Sequence, residues 1–269
     1  MRKAGWFVTG ASWGVFAFLY LPLLCVAIFS LNASRSGLTW GGFTLDWYRR
    51  LLHNDLVLRA AANSLILALA STAISTVLGT LLALGIQRIP WGKRASKGME
   101  ALLNLPVVTP DIIFAVALVI AFGALRALTG LFQLGMPTMV VGHVAFQISF
   151  VALVVRSRLE AIGMDLEEAS FDLYASYGRM LTSVVLPLLG PGIFAGAALA
   201  FTLSLDDFVI SFFTSGPDSI TLPIFIYAAV HRGVTPEIHA LSTLVMLGTI
   251  AAVSIMQKLT ARSGAEAGA

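Results

Sequence analysis

Long apolar runs separated by short charged loops set the pattern of this 269-residue chain. Six runs, over roughly 11–31, 64–87, 102–122, 136–155, 188–213 and 239–256, are near the about 20 apolar residues that a helix needs to cross a hydrocarbon core. In lipid each must be helical, because an open strand would leave its backbone N–H and C=O groups unsatisfied. The pattern predicts an all-α polytopic membrane protein with six transmembrane helices. Residues 1–269 read as a single transmembrane domain, with no linker and no internal repeat. The first run is too long for a signal peptide and no small-x-small site follows it, so a retained first span is expected.

Lys and Arg accumulate on the cytoplasmic side of membrane proteins. With the N-terminus inside, eleven basic residues fall on inner segments and six on outer ones, Arg35 among the latter. Both termini are therefore expected in the cytoplasm. Two polar excursions are long enough to carry function. The outer one, 32–63, places Trp40, Trp47 and Tyr48 where interfacial aromatics belong. The inner one, 156–187, holds five of the fourteen acids.

Composition agrees with the pattern. The chain is 58% hydrophobic and 12% charged with a mean hydropathy of +0.88, against about 25% charged in soluble domains. Its net charge of +3 is spread over short loops without a basic patch, so no nucleic-acid partner is expected. A lone Cys25 excludes an internal disulfide and a thiolate metal cluster. His53, His143, His231 and His239 lack ligand spacing, and no metal or other cofactor is expected in this chain. No P-loop is present. Gly10 to Gly14 formally match a G-x-S-x-G elbow but open a membrane helix with no strand before them.

The inner excursion, LEAIGMDLEEASFDLYASYGRMLTSVVLPLLGPG, reads as two short helices outside the bilayer. Asp165 is positioned to cap the first, with Glu168 completing a capping box. Leu166, Ala169, Ser170 and Leu173 then share one face, opposite the acids Glu167, Glu168 and Asp172. Such a helix either lies on the membrane or on its own bundle, or docks on another protein. Its acidic face argues against an anionic membrane surface.

Asp111, Asp206 and Asp207 lie within spans. There a carboxylate facing lipid costs about 2.5 to 3.5 kcal/mol, so each must face a bundle interior or a watery path. Counted at about 1.5 Å per residue, Asp111 falls about 14 Å into the third run and Asp206 about 27 Å into the fifth. Pro106 and Pro110 should bend or break the helix ahead of Asp111. Ser204 and Thr202 share faces with Asp207 and Asp206. Gly192, Gly196 and Ala200 form a small-residue packing row. The acids are either buried and bonded to hydroxyls or a neighbour's cation, or a station for a cationic solute. The spans hold essentially no Lys or Arg to neutralise them.

The inner loop resembles the coupling loop of bacterial ATP-binding-cassette importer permeases. The spacing E-A-A, three residues, Gly, nine residues, Ile-x-Leu-Pro appears as Glu168, Ala169, Ser170, then Tyr174, then Val184, Leu186 and Pro187. LPVVTPDI, TLSLDDFVISFFTSGP, TLPIFIYAAVHRGVTPEIHALSTL and TLDWYRRLLHND are similar to segments of the spermidine/putrescine importer permeases, the putrescine type especially. The resemblance implies a type I importer permease in the bacterial inner membrane that performs no chemistry itself. Its implied partners are a second permease, a periplasmic polyamine-binding protein and two ATPase subunits, which hold ATP and Mg. It also implies a solute path past Trp47, Asp111, Ser204, Asp206 and Asp207, and an ATPase-coupling surface at Glu167, Glu168, Ala169, Ser170, Asp172, Tyr174 and Gly178. Tyr174 replaces a glycine, so either the bend is made elsewhere, at Gly178 for instance, or the ring fills a pocket in the partner. Rival readings are an importer of another small solute and an ion-coupled secondary transporter using the same acids.

Overall fold

A computed structural model describes residues 2–34 and 39–266; Arg35 lies outside them. Among the described residues the chain is helical, with one isolated antiparallel bridge between Asn32 and Phe43. In order the helices are α1 (Arg2–Phe29), α2 (Asp46–Leu51), α3 (Asp55–Arg88), α4 (Lys93–Val108), α5 (Asp111–Thr129), α6 (Met136–Ile162), α7 (Asp165–Asp172), α8 (Tyr177–Met180), α9 (Leu186–Asp206), α10 (Val209–Thr214), α11 (Leu222–His231) and α12 (Pro236–Glu266). A π-helical turn, Leu181–Val185, joins α8 to α9. Six helical stretches among the described residues are long and apolar enough to cross a membrane: Val8–Phe29, Asp55–Arg88, Asp111–Thr129, Met136–Ile162, Tyr177–Asp206 and Pro236–Ile255.

Two expected spans differ in a way that bears on function. The third run is not one helix. Thr109, extended at ψ 131°, and Pro110 separate α4 from α5, because proline lacks the N–H that would continue the ladder and pushes its predecessor out of the helical region. Asp111 therefore heads the long apolar helix α5 rather than lying 14 Å inside a span. In the fifth run the helix stops at Asp206, and Asp207 is extended, with ψ 124°. The second short helix of the inner loop is continuous with the fifth span through the π turn.

The chain groups into two compact units. The first comprises Met1–Leu58 and Phe225–Ile250. Every side chain from 8 to 25 on α1 is exposed, which for a water-averse surface means cover by lipid or another chain. The loop after α1 is fastened by Asn32. Its Nδ2 donates to the Thr39 carbonyl at 2.9 Å, and its Oδ1 accepts from Gly41 N–H at 2.8 Å and Ser34 N–H at 3.1 Å. Ser30 Oγ and Tyr48 OH meet at 2.6 Å.

The second unit comprises Arg59–Ile224 and Ala251–Ala269. Its centre is the packing of α6 on α9. A Cβ at Gly196 would lie 3.3 Å from Val151 Cγ1, and one at Gly192 would lie 2.7 Å from Arg158 Cβ. Gly192, Gly196 and the fully buried Ala200 thus form the close seam against α6 that the sequence predicts. Below it Ala83, Ile86, Leu103, Val155, Leu159, Met180, Val185 and Leu189 make one apolar cluster.

Candidate functional site

Asp207 has a backbone reason to be where it is. Ending α9 and starting α10 leaves orphan N–H groups at the new helix start. The Asp207 carboxylate takes two of them: Oδ1 accepts from Ile210 N–H at 3.3 Å and Oδ2 from Ser211 N–H at 2.8 Å. A run that reads as uninterrupted apolar helix is broken by one side chain that satisfies the break.

The break is anchored by His143 of α6, which is 1% exposed. Its Nδ1 lies 2.8 Å from Ser204 Oγ and its Nε2 lies 3.0 Å from Ser211 Oγ and 3.3 Å from Asp207 Oδ2. Ser204 Oγ also meets Ser71 Oγ of α3 at 3.3 Å. One turn along α6, Gln147 Nε2 donates to the Ala200 carbonyl at 3.1 Å and its Oε1 accepts from Ser75 Oγ at 3.0 Å. Ser71, Ser75, His143, Gln147, Ser204 and Ser211 thus partner one another or backbone across α3, α6, α9 and α10, while Thr72 and Thr76 Oγ1 on α3 are buried without a hydrogen-bond partner among the described residues.

Metal-ligand spacing, which His143 lacks, carries no hint of this role. A usable signal is present: His143 and Gln147 are four apart on one apolar span and Ser71 and Ser75 on another, so two polar stripes need partners on neighbouring helices.

The two adjacent aspartates therefore part company. Asp207 is engaged, with a side chain 12% exposed, whereas Asp206 is exposed and takes no part in the network. Ser204 is buried within it. Asp111 is exposed at the first residue of α5, where the helix dipole favours an acid. Helix α5 packs along α10, but among the described residues Asp111 shares no hydrogen bond or ion pair with Asp206 or Asp207.

Trp47 belongs to the first unit. It is 8% exposed; its Nε1 donates to the Asn32 carbonyl at 2.8 Å, and the Arg50 guanidinium lies 5.1 Å from the ring centroid. One aromatic face thus already meets a cation, and the indole ties α2 to the loop that Asn32 organises.

In the inner loop, Met164 rather than Asp165 stands at the N-cap of α7, and no side chain caps it. The capping box is not formed; Asp165, Glu167 and Glu168 instead occupy the first turn, where the dipole favours acids. Glu167 does not sit on an outer acidic face. It is buried, with Oε1 2.6 Å from Arg88 Nη2. Ser170 is buried beside it, its Oγ donating to the Glu167 carbonyl at 2.7 Å. Glu168, Ala169 and Asp172 are exposed. The bend after α7 is made at Tyr174 itself, with φ 58° and a side chain 98% exposed. Gly178 lies inside α8 and makes no turn.

Comparison with known proteins places these features in a group. Residues 75–263 match the family of binding-protein-dependent transport system inner membrane components. The chain is 38% identical to the spermidine/putrescine transport system permease protein PotC of Escherichia coli K12 over 248 residues, 92% of this chain and 91% of that protein. It is 39% identical to the putrescine transport system permease protein PotI of the same organism over 243 residues, 90% and 85% of the two chains. Among solved structures, a bacterial ABC transporter that imports the acidic polysaccharide alginate superposes with a TM-score of 0.75 at 17% identity, covering 97% of this chain and 96% of that one. The MetNI methionine ABC transporter gives 0.62 at 18% identity, covering 82% and 99%.

Proposed function

This chain belongs to the binding-protein-dependent transport system inner membrane component family, and on that premise we propose that it forms half of the translocation path of an ATP-driven polyamine importer. Its fold is the type I ABC importer permease fold, it is a multi-pass membrane protein, and it is a transport subunit, not an enzyme. Relatives named for spermidine and putrescine transport support the solute class. The observation that carries the reading is Asp206, an exposed carboxylate at the C-terminal end of α9, beside but outside the buried polar cluster and in no ion pair among the described residues. A diammonium solute supplies the missing charge through charge-assisted hydrogen bonds. Asp111, also exposed, is a second station on the same path. An anionic solute would meet only like charge.

The partners follow from the same premise. A second permease closes the path and covers the exposed flank of α1. A periplasmic binding protein delivers the polyamine, and two ATPase subunits, holding ATP and Mg, dock on α7 and the bend at Tyr174. Leu166, Leu173 and Tyr174 offer them an exposed apolar face. Both termini lie in the cytoplasm, in accord with the basic bias of the inner loops. ATP-driven movement of α7 passes through the π turn directly into α9 and so to Asp206.

The test is uptake of labelled putrescine and spermidine in membrane vesicles carrying the assembled transporter, with ATP present and the proton gradient collapsed. Uptake should persist and should require the binding protein and a copurifying ATPase. Uptake that follows the gradient and ignores ATP would return the chain to the secondary-transporter reading.

A further inference from the structure

Helix α7 is turned against the preference of its own sequence. Leu166 and Leu173 of its apolar row are 48% and 82% exposed, while the charged Glu167 is 5% exposed. An isolated amphipathic helix packed on a bundle would do the reverse. The group that permits the inversion is Arg88, the last residue of α3. Its Nη2 forms an ion pair with Glu167 Oε1 at 2.6 Å and donates a hydrogen bond to the Gly163 carbonyl at 3.1 Å. The two charged side chains are 10% and 7% exposed. Gly163, at φ 73°, makes the turn from α6 into α7, a conformation that suits glycine. One guanidinium therefore holds both the entry turn and the third residue of the helix.

A buried ion pair adds little stability over an apolar pair of similar volume. What it adds is direction: apolar packing tolerates a rotated helix, whereas a buried carboxylate tolerates only the setting that meets its cation. Ser170, a small member of that row, follows Glu167 inward one turn later, and Leu166, Ala169 and Leu173 are left outside. Resting on the reading that α7 docks on an ATPase, we propose that Arg88 is a positioning residue for energy coupling, fixing the rotation of α7 and so the face it presents to its partner.

Thiol labelling of the solubilised full-length chain reads the rotation without any ATPase. With Cys25→Ser as background, Ser170→Cys should react slowly with a maleimide and Leu173→Cys rapidly. Adding Arg88→Ala should accelerate labelling of Ser170→Cys about tenfold, as its protection by local packing is lost. In the assembled transporter, Arg88→Ala should keep the ATPase in the complex while binding-protein stimulation of ATP hydrolysis falls about fivefold or more. The exchange of Arg88→Glu with Glu167→Arg, which re-forms the ion pair but not the bond to Gly163, should restore part of that stimulation, and the apolar pair Arg88→Met with Glu167→Leu should keep assembly without restoring it. An unchanged labelling pattern, full stimulation with the apolar pair, or failure of every variant to assemble would each overturn the proposal. Should the wild-type complex contain no ATPase, the docking reading falls, and the labelling result still decides whether Arg88 sets the rotation.

Discussion

His143 Nε2 stands 3.3 Å from Asp207 Oδ2, and that contact assigns different work to two neighbouring acids. Asp207 is held by α6 and caps α10; Asp206, one residue before it, is left exposed. Asp206→Asn should therefore weaken solute recognition, raising the KM for putrescine uptake about tenfold with a smaller change in maximal rate. Equal losses in KM and rate for Asp206→Asn and Asp207→Asn would erase the distinction.

Removing either member of the His143–Asp207 contact should act on the architecture of the break. His143→Ala and Asp207→Asn should each lower maximal uptake and thermal stability. Residues in one network are not additive, so the double variant should cost about 1 kcal/mol or more less than the sum of the single ones. Thermal unfolding of the purified chain checks this, and simple additivity would show that the contact carries no coupling.

Tyr174 occupies a backbone region that costs an L-residue about 1 to 2 kcal/mol. Tyr174→Gly should relieve part of that cost, raise the midpoint of thermal unfolding by a few degrees, and retain transport. Tyr174→Ala keeps the strained backbone and removes only the ring, so transport should persist without the gain in stability. Loss of uptake in both, with the ATPase no longer copurifying, would assign the ring to a partner pocket.

The seam between α6 and α9 predicts a contrast among glycines. Gly192→Val should destabilise the solubilised chain by about 1 to 3 kcal/mol through overpacking, because its Cβ would meet Arg158 Cβ at 2.7 Å. Gly190→Ala, with nothing within 4 Å of its Cβ, should be tolerated. Equal effects in thermal unfolding would remove the seam from consideration.

Trp47 couples α2 to the outer loop through its N–H and its buried ring. Trp47→Phe should lose the bond to Asn32 at a cost of about 1 kcal/mol and keep most uptake. Trp47→Ala should cost about 3 to 5 kcal/mol from the lost core volume. Abolished uptake in a fully stable Trp47→Phe would instead argue for direct contact between the indole and the solute.

How much of this could be read beforehand depended on whether the controlling interaction was local. Lipid imposes long apolar runs, and Pro110 removes a backbone donor from its own helix, so spans and the break before Asp111 were visible in sequence. The break at Asp207 was not, because Leu203 to Phe213 is apolar enough to continue and the acid's capping role exists only once α10 has formed. His143 and Arg88 were hidden for a different reason: each gains its meaning from groups on other helices, and local spacing carries no record of them. Glu167, alone among the acids of that face, departs from the pattern in the same way. Helical periodicity sets Glu167 on the polar face, and only the distant Arg88 draws it inside.

From Tyr177 to Asp206 the backbone stays helical across the π turn, a rod about 45 Å long. Pivoting such a rod by about 5° carries its far end about 4 Å, which is the full reach of an ammonium–carboxylate contact. A tilt small enough to go unnoticed at the docking end would then suffice to let go of the cargo at the other, with no change in the acid itself.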